Sequence, residues 1–278
     1  MRRSDREKEK IIVQGSAKPL SKLASGRVPK SIRDIVFLYL EEFARKEDDA
    51  LNNRLLAELI DGYSNIERKV DSLLKNTLPE VVAEEIKLKG GYTPREHLCT
   101  ILFSDLVGFT RIAERVSAIT LITALDQIFS SFDEITATLG GTKIKTIGDA
   151  YMAVFGAPQE MENHAYLAIE AGLKMISSLE EFNQKNKDFG KMAMRVGIHT
   201  GKVISGVVGK ERMQFDVFGD NVNIASRLET SSEPGRITVS RDTYELVKDL
   251  FVFEERGFVP LKNKDPMLAY FVKGRRHG

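Results

Sequence analysis

Apolar and polar positions change their spacing along the chain in three stretches. Residues 1 to 30 are rich in Lys, Arg, Ser and Gly and carry no apolar period, which predicts a flexible basic arm, either a solvated tail or a segment that binds a membrane or partner. Ser31, with Asp34 three residues on, gives a capping-box-like start, and "SIRDIVFLYLEEFARK" then holds enough apolar residues for a short packed helix. A second helix is predicted from Asp48 or Asp49. Within it Leu56, Leu59, Tyr63, Ile66, Val70 and Leu73 alternate spacings of three and four, a heptad seam ending at Leu78-Pro79. Such a seam fits a dimerising coiled coil, or an amphipathic helix lying on its own domain. "VVAEEIKLKGG" is one more helical stretch, stopped by Gly90-Gly91 and the break at Thr93-Pro94. Residues 31–95 are therefore read as N-terminal helices and 96–278 as the globular domain.

In that domain the period alternates between two and 3.6. A strand at 98–105 is followed by a helical region at about 109–138. Gly140-Gly141 then leads into "TKIKTIGDAYMAVFG", two short strands turning at Gly148-Asp149. A helix at about 160–187 puts Ala165, Ala168, Ile169, Gly172, Leu173 and Ile176 on one face. "MAMRVGIHTGKVISGVVG" reads as another strand pair, turning near Thr200-Gly201. A helix near 221–232, a strand at 236–239, a short helix at 241–247 and two final strands complete the pattern. Strand pairs between long helices predict an α+β fold, a mostly antiparallel sheet with helices packed on it, close to the ferredoxin-like split βαβ type.

Composition narrows the partners. The 278 residues, 42% of them hydrophobic, suffice for a large core, and 41 basic against 40 acidic residues leave a net charge of +1, so no global field points to nucleic acid or an anionic membrane. The single cysteine, Cys99, lies in an apolar run and forms no internal disulfide. The longest apolar candidate, "IVFLYL", is bracketed by Asp34 and Glu41, far short of the roughly 20 residues a membrane span requires. There is no signal-peptide pattern, and a cytoplasmic protein without a transmembrane segment is expected.

The chemistry concentrates around two aspartates, each at the end or turn of an apolar strand: Asp105 in "ILFSDLVGFT" and Asp149 in "KTIGDAYM". A carboxylate at the end of a buried strand needs a compensating cation, either a metal ion or a basic side chain. If the two segments pair antiparallel, both aspartates reach one sheet edge. Hard oxygen ligands without neighbouring His or Cys select Mg²⁺ or Mn²⁺ over zinc, although hairpin aspartates are also common turn formers. Gly108, Phe109 and Thr110 follow Asp105 and place a glycine turn directly before a helix, where exposed backbone N–H groups receive phosphate. No glycine run matches a Walker loop, since Gly206 is followed by Val207.

Four stretches, "FSDLVGFT", "KIKTIGDAYMAVFG", "RVGIHTGKVISGVVG" and "FDVFGDNVNIASRLE", together resemble the catalytic domain of class III nucleotidyl cyclases, over most of residues 98–275. The resemblance implies head-to-tail homodimers that cyclise a nucleoside triphosphate and release pyrophosphate. It also implies that Asp105 and Asp149 bind two Mg²⁺ or Mn²⁺ ions, and that Asn223 orients the ribose while Arg227 meets transition-state charge. Lys145 and Asp216 take the family's base-reading positions, and Lys262 its phosphate lysine. Asn263 stands where the family usually has glycine, leaving the choice between Lys262 and Lys264 open. A Lys donor beside an Asp acceptor matches the N1 acceptor and N6 amino group of adenine, whereas guanine presents the reverse order. The expected activity is adenylate cyclase, making cyclic AMP from ATP. The rivals are a guanylate or relaxed-specificity cyclase and a cyclase-like module without turnover.

The implied sites combine aspartates of one protomer with Lys145, Asp216, Asn223 and Arg227 of the other, so a homodimer is expected through the catalytic domain and the N-terminal helices. That helical segment resembles the transducer preceding such domains. His164 and His199 lack a second ligand at metal spacing and are expected to be structural. No motif in residues 1–95 identifies an activating signal.

Overall fold

The computed structural model describes residues 49–261 and 264–276, without the side chains of 49–57, 188 and 264. The basic arm, the helix expected from Ser31, and Lys262 lie outside the described residues. The chain divides between Leu73 and Leu74 into two compact units.

Helix α1 (Asp49–Lys75) accounts for the described part of the first unit and runs through the predicted heptad. Tyr63, Val70 and Leu73 on that seam are exposed.

In the second unit, α2 (Glu80–Lys89) follows Pro79, whose fixed φ of −54° suits a helix entry. It ends at Gly90, where φ is +77° and the N–H donates to Ile86 O. Leu78, Val82 and Ala83 are buried with Cys99, Ile101, Ile144, Met152, Val154, Phe215, Val217 and Ala225. Glu85, buried on α2, pairs with Arg95 at the start of the first strand. Helix α2 is thus part of the domain core.

The sheet has eight strands: β1 (Arg95–Val107), β2 (Thr142–Ile147), β3 (Ala150–Phe155), β4 (Ala193–Val208), β5 (Gln214–Phe218), β6 (Ile237–Ser240), β7 (Phe251–Leu261) and β8 (Lys264–Arg275). Their order is β2-β3-β1-β4-β6-β8-β7, with β5 pairing a further length of β4. All pairs are antiparallel except β4 with β6. Strand β1 is apolar in succession because both its faces are covered. Ile101 enters the core around α2, and Leu102 enters the larger core on the other side, with Phe132, Tyr151, Phe155, Ile169 and Met175.

Helices α3 (Phe109–Ala113), α4 (Ala118–Thr138), α5 (His164–Lys185), α6 (Asp220–Thr230) and α7 (Arg241–Val247) complete the unit. The helical region expected at about 109–138 divides into α3 and α4, because Ser117 caps α4 by accepting the Thr120 N–H at 3.1 Å.

One expectation is corrected. "MAMRVGIHTGKVISGVVG" is not a strand pair: β4 runs unbroken through Thr200-Gly201. Gly201 serves close packing instead, since a Cβ there meets the Asn221 side chain at 2.4 Å. The β4–β6 pair is parallel because α6 carries the chain back across the sheet before β6 begins.

Candidate active site

Strand β1 pairs antiparallel with β3 and sets Asp105 opposite Ala150, so Asp149, one residue earlier, shares its sheet edge. Gly148, with φ +64°, makes the turn that presents it. The Asp149 carboxyl is raised above the usual carboxylate range, first by burial and then by the charge of Asp105. Two repelling oxygen-donor groups at one edge fit a divalent cation. Among the described residues no group of three His, Cys, Asp or Glu side chains is arranged for a metal, so a cation here would draw its further ligands from phosphate and water.

A basic partner is also present. Across the β1–β4 ladder Asp105 faces Arg195, and Arg195 Nη2 lies 2.6 Å from Asp105 Oδ2. The same nitrogen lies 3.2 Å from Glu229 Oε1 on α6. Arg195 Nη1 donates to Thr230 O at 3.1 Å. Glu229 is almost fully enclosed, and its carboxyl is pushed up to about 7 chiefly by burial, with Arg195 opposing and Asp105 adding to the rise. Sequence reasoning missed both Arg195 and Glu229. A signal existed in "AMRVGIH", where a single arginine interrupts an apolar strand as Asp105 interrupts β1.

Gly108 precedes α3 with φ +84°, a left-handed conformation that a side chain would strain. Hydrogen bonding within α3 starts at the Arg111 N–H, which donates to Gly108 O at 3.1 Å. Phe109 and Thr110 occupy the first turn ahead of it, immediately after the Asp105 strand.

Lys145 on β2 and Asp216 on β5 are brought together, with Nζ 2.5 Å from Oδ2. Asp216 is held from its own backbone side as well, where Oδ1 accepts the Val217 N–H at 2.9 Å. Asn223 and Arg227 lie one turn apart on α6, Asn223 exposed and Arg227 half-buried. Helix α6 sits hard against β4, because a Cβ at Gly197 would lie 2.0 Å from Glu229 N.

His164 and His199 are structural. His164 Nδ1 shares a 2.7 Å hydrogen bond with Thr100, and burial keeps its pKa low. His199 bridges Ser240 and Asn221 at 2.8 and 2.9 Å. Cys99 is buried with its thiol pushed up to about 12, hence unreactive.

Residues 92–274 match the family described as "Adenylate and Guanylate cyclase catalytic domain". The chain belongs to this class III nucleotidyl cyclase family. An adenylate cyclase of Mycobacterium tuberculosis is 36% identical over 208 residues, covering 74% of this chain and 46% of the relative. Human atrial natriuretic peptide receptor 2 is 34% identical over 253 residues, covering 89% of this chain and 24% of the receptor. The chain thus spans less than half the length of either relative. The crystal structure of the adenylyl cyclase CyaB from P. aeruginosa superposes with a TM-score of 0.64 at 32% identity, covering 66% of this chain and 98% of that one. The chain thus carries a nucleotidyl cyclase catalytic domain of α+β architecture, and its relatives include proteins named as adenylate cyclase and as receptor-type guanylate cyclase. No helix among the described residues is long and apolar enough to cross a membrane.

Proposed function

We propose that this chain is an adenylate cyclase that converts ATP to 3′,5′-cyclic AMP and pyrophosphate at the interface of a homodimer. The observation that carries the base assignment is the Lys145–Asp216 pair, a fixed donor beside a fixed acceptor. Lys145 donates to adenine N1 and Asp216 accepts from the N6 amino group; guanine would set acceptor against acceptor and donor against donor.

Asp105 and Asp149 would hold two Mg²⁺ or Mn²⁺ ions, which when bound supply activation of the ribose 3′-hydroxyl and neutralisation of the leaving pyrophosphate. The chain's own groups do the rest. The amides after Gly108 receive phosphate oxygens at the start of α3. Asn223 fixes the ribose for in-line attack. Arg227 faces the charge that grows on the α-phosphate, so its effect falls on kcat more than on binding. Aspartates from one protomer meet Lys145, Asp216, Asn223 and Arg227 of the other, so an isolated protomer is inactive. The N-terminal helices hold this dimer and act as its transducer.

Relatives named as a receptor-type guanylate cyclase and as an adenylate cyclase favour one alternative, a guanylate or relaxed cyclase. Assay of the purified chain with ATP and with GTP, each in Mg²⁺ and in Mn²⁺, decides between them. Cyclic AMP formation at a kcat/KM well above that for cyclic GMP supports the proposal; equal or reversed efficiencies overturn it. Absence of both products, with Asp105→Ala indistinguishable from the unmodified chain, would make this a module without turnover.

A further inference from the structure

Arg195 serves two acids at once, and its hydrogen bonds are incompletely used. Nη2 reaches Asp105 at 2.6 Å and Glu229 at 3.2 Å. Arg195 Nε and Glu229 Oε1 are both buried without a hydrogen-bond partner. A buried donor and a buried acceptor, each unsatisfied and on adjacent side chains, mark a contact the present arrangement leaves unmade. Making it would draw the guanidinium toward Glu229.

We infer that Glu229 is a positioning residue that takes over the Arg195 guanidinium from Asp105 when the aspartate pair binds divalent metal. The inference rests on the reading of Asp105 and Asp149 as metal ligands.

The charges require such an acceptor. Without metal, one guanidinium offsets Asp105, whose side chain is 22% exposed at the sheet edge. A dication on the same carboxylate competes for its oxygen and repels the guanidinium. Arg195 is only 26% exposed and cannot move into bulk water without leaving its enclosed Nε and its bond to Thr230 O. Glu229 offers a second carboxyl group, 3.2 Å from the same nitrogen. Its position is rigid: α6 is pressed onto β4 at Gly197, and Glu229 Oε2 accepts the Thr230 hydroxyl at 3.2 Å. Arg195 is thus a stand-in cation for the metal-free state, and Glu229 lowers the cost of displacing it.

The test is Mn²⁺ binding to the full chain without nucleotide, followed by calorimetry and by the electron spin resonance of free Mn²⁺. Glu229→Gln, nearly isosteric, is expected to weaken Mn²⁺ binding about fivefold, because Arg195 then has only Asp105 as an anionic partner. Arg195→Met alone is expected to tighten Mn²⁺ binding. In the Arg195→Met background Glu229→Gln is expected to change Mn²⁺ affinity by less than about twofold, since its effect passes through the arginine. An equal loss in both backgrounds means that Glu229 acts only as a distant charge, and no loss in either means it does not act; both overturn the inference. Thermal melts confirm folding, and Arg195→Gln replaces Arg195→Met if the latter does not fold. Asp105→Asn and Asp149→Asn separate the underlying reading: if neither alters the Mn²⁺ isotherm, the metal assignment fails, irrespective of Glu229.

Discussion

Lys145 and Asp216 are 71 positions apart in sequence, yet their charged atoms stand 2.5 Å from each other on β2 and β5. Neither strand neighbours the other in the sheet order, so the contact depends on how the sheet curls around the α2 core. Exchanging both residues together should exchange the base. Lys145→Glu with Asp216→Cys is expected to move the kcat/KM preference from ATP toward GTP, read as the ratio of cyclic nucleotides formed in competition. An unchanged ratio would mean that the base is recognised elsewhere.

On the proposed role, in which its partner charge exists only during the reaction, Arg227→Ala is expected to lower kcat by about 10²- to 10³-fold with a much smaller change in KM. Steady-state kinetics on the purified chain check this. A loss confined to KM would assign Arg227 to ground-state binding.

Glu229 makes the metal-free fold sensitive to pH. Its folded value of about 7 lies above the ordinary 4.5, so between these values the folded chain holds a proton that the unfolded chain has released. Stability from this group therefore falls as pH rises from about 4.5 to about 7 and then levels. Glu229→Gln should remove the penalty, with a gain at pH 8 of at most about 3 kcal/mol and none near pH 4.5. Urea unfolding in EDTA at both pH values measures it; a larger gain at the lower pH contradicts the assignment.

Two glycines of β4 should respond differently to the same change. A Cβ at Gly201 meets the Asn221 side chain, whereas one at Gly197 meets the backbone of α6. Gly201→Ala is expected to cost about 1–3 kcal/mol and to be largely rescued by Asn221→Ala. Gly197→Ala has no side chain to trim and should displace α6, lowering both Tm and activity.

Helix α2 also separates two truncations. Removal of residues 1–73 cuts between the compact units and should leave a folded cyclase domain that loses activity on dilution sooner than the full chain. Removal of 1–95 also strips Leu78, Val82 and Ala83 from the core, at roughly 1.5–3 kcal/mol for each large side chain, and should lower Tm sharply. Equal melting of the two would contradict the packing described.

The parts of the site legible in sequence are those with local signals. Asp105 and Asp149 stand out because a charge closes an apolar strand, and Gly148 because a turn needs a positive φ. The β4 spacing was misread because Thr-Gly is a turn dipeptide by local chemistry, while Gly201 answers to Asn221 across the fold. Arg195 interrupts an apolar strand, but its partner Asp105 follows only from the cross-strand register, and Glu229 has no local signal because its meaning lies in the seating of α6. The grouping of α2 with the core depends on Val82 and Ala83 meeting residues up to Ala225.

Strand β4 touches β1, β5 and β6 along its sixteen residues, and through them the elements bearing every candidate ligand on the sheet. Its opening is expected not to be local, because each of its segments pairs with a strand that carries a candidate site residue. Loss of the site's geometry and loss of the fold are then expected to coincide.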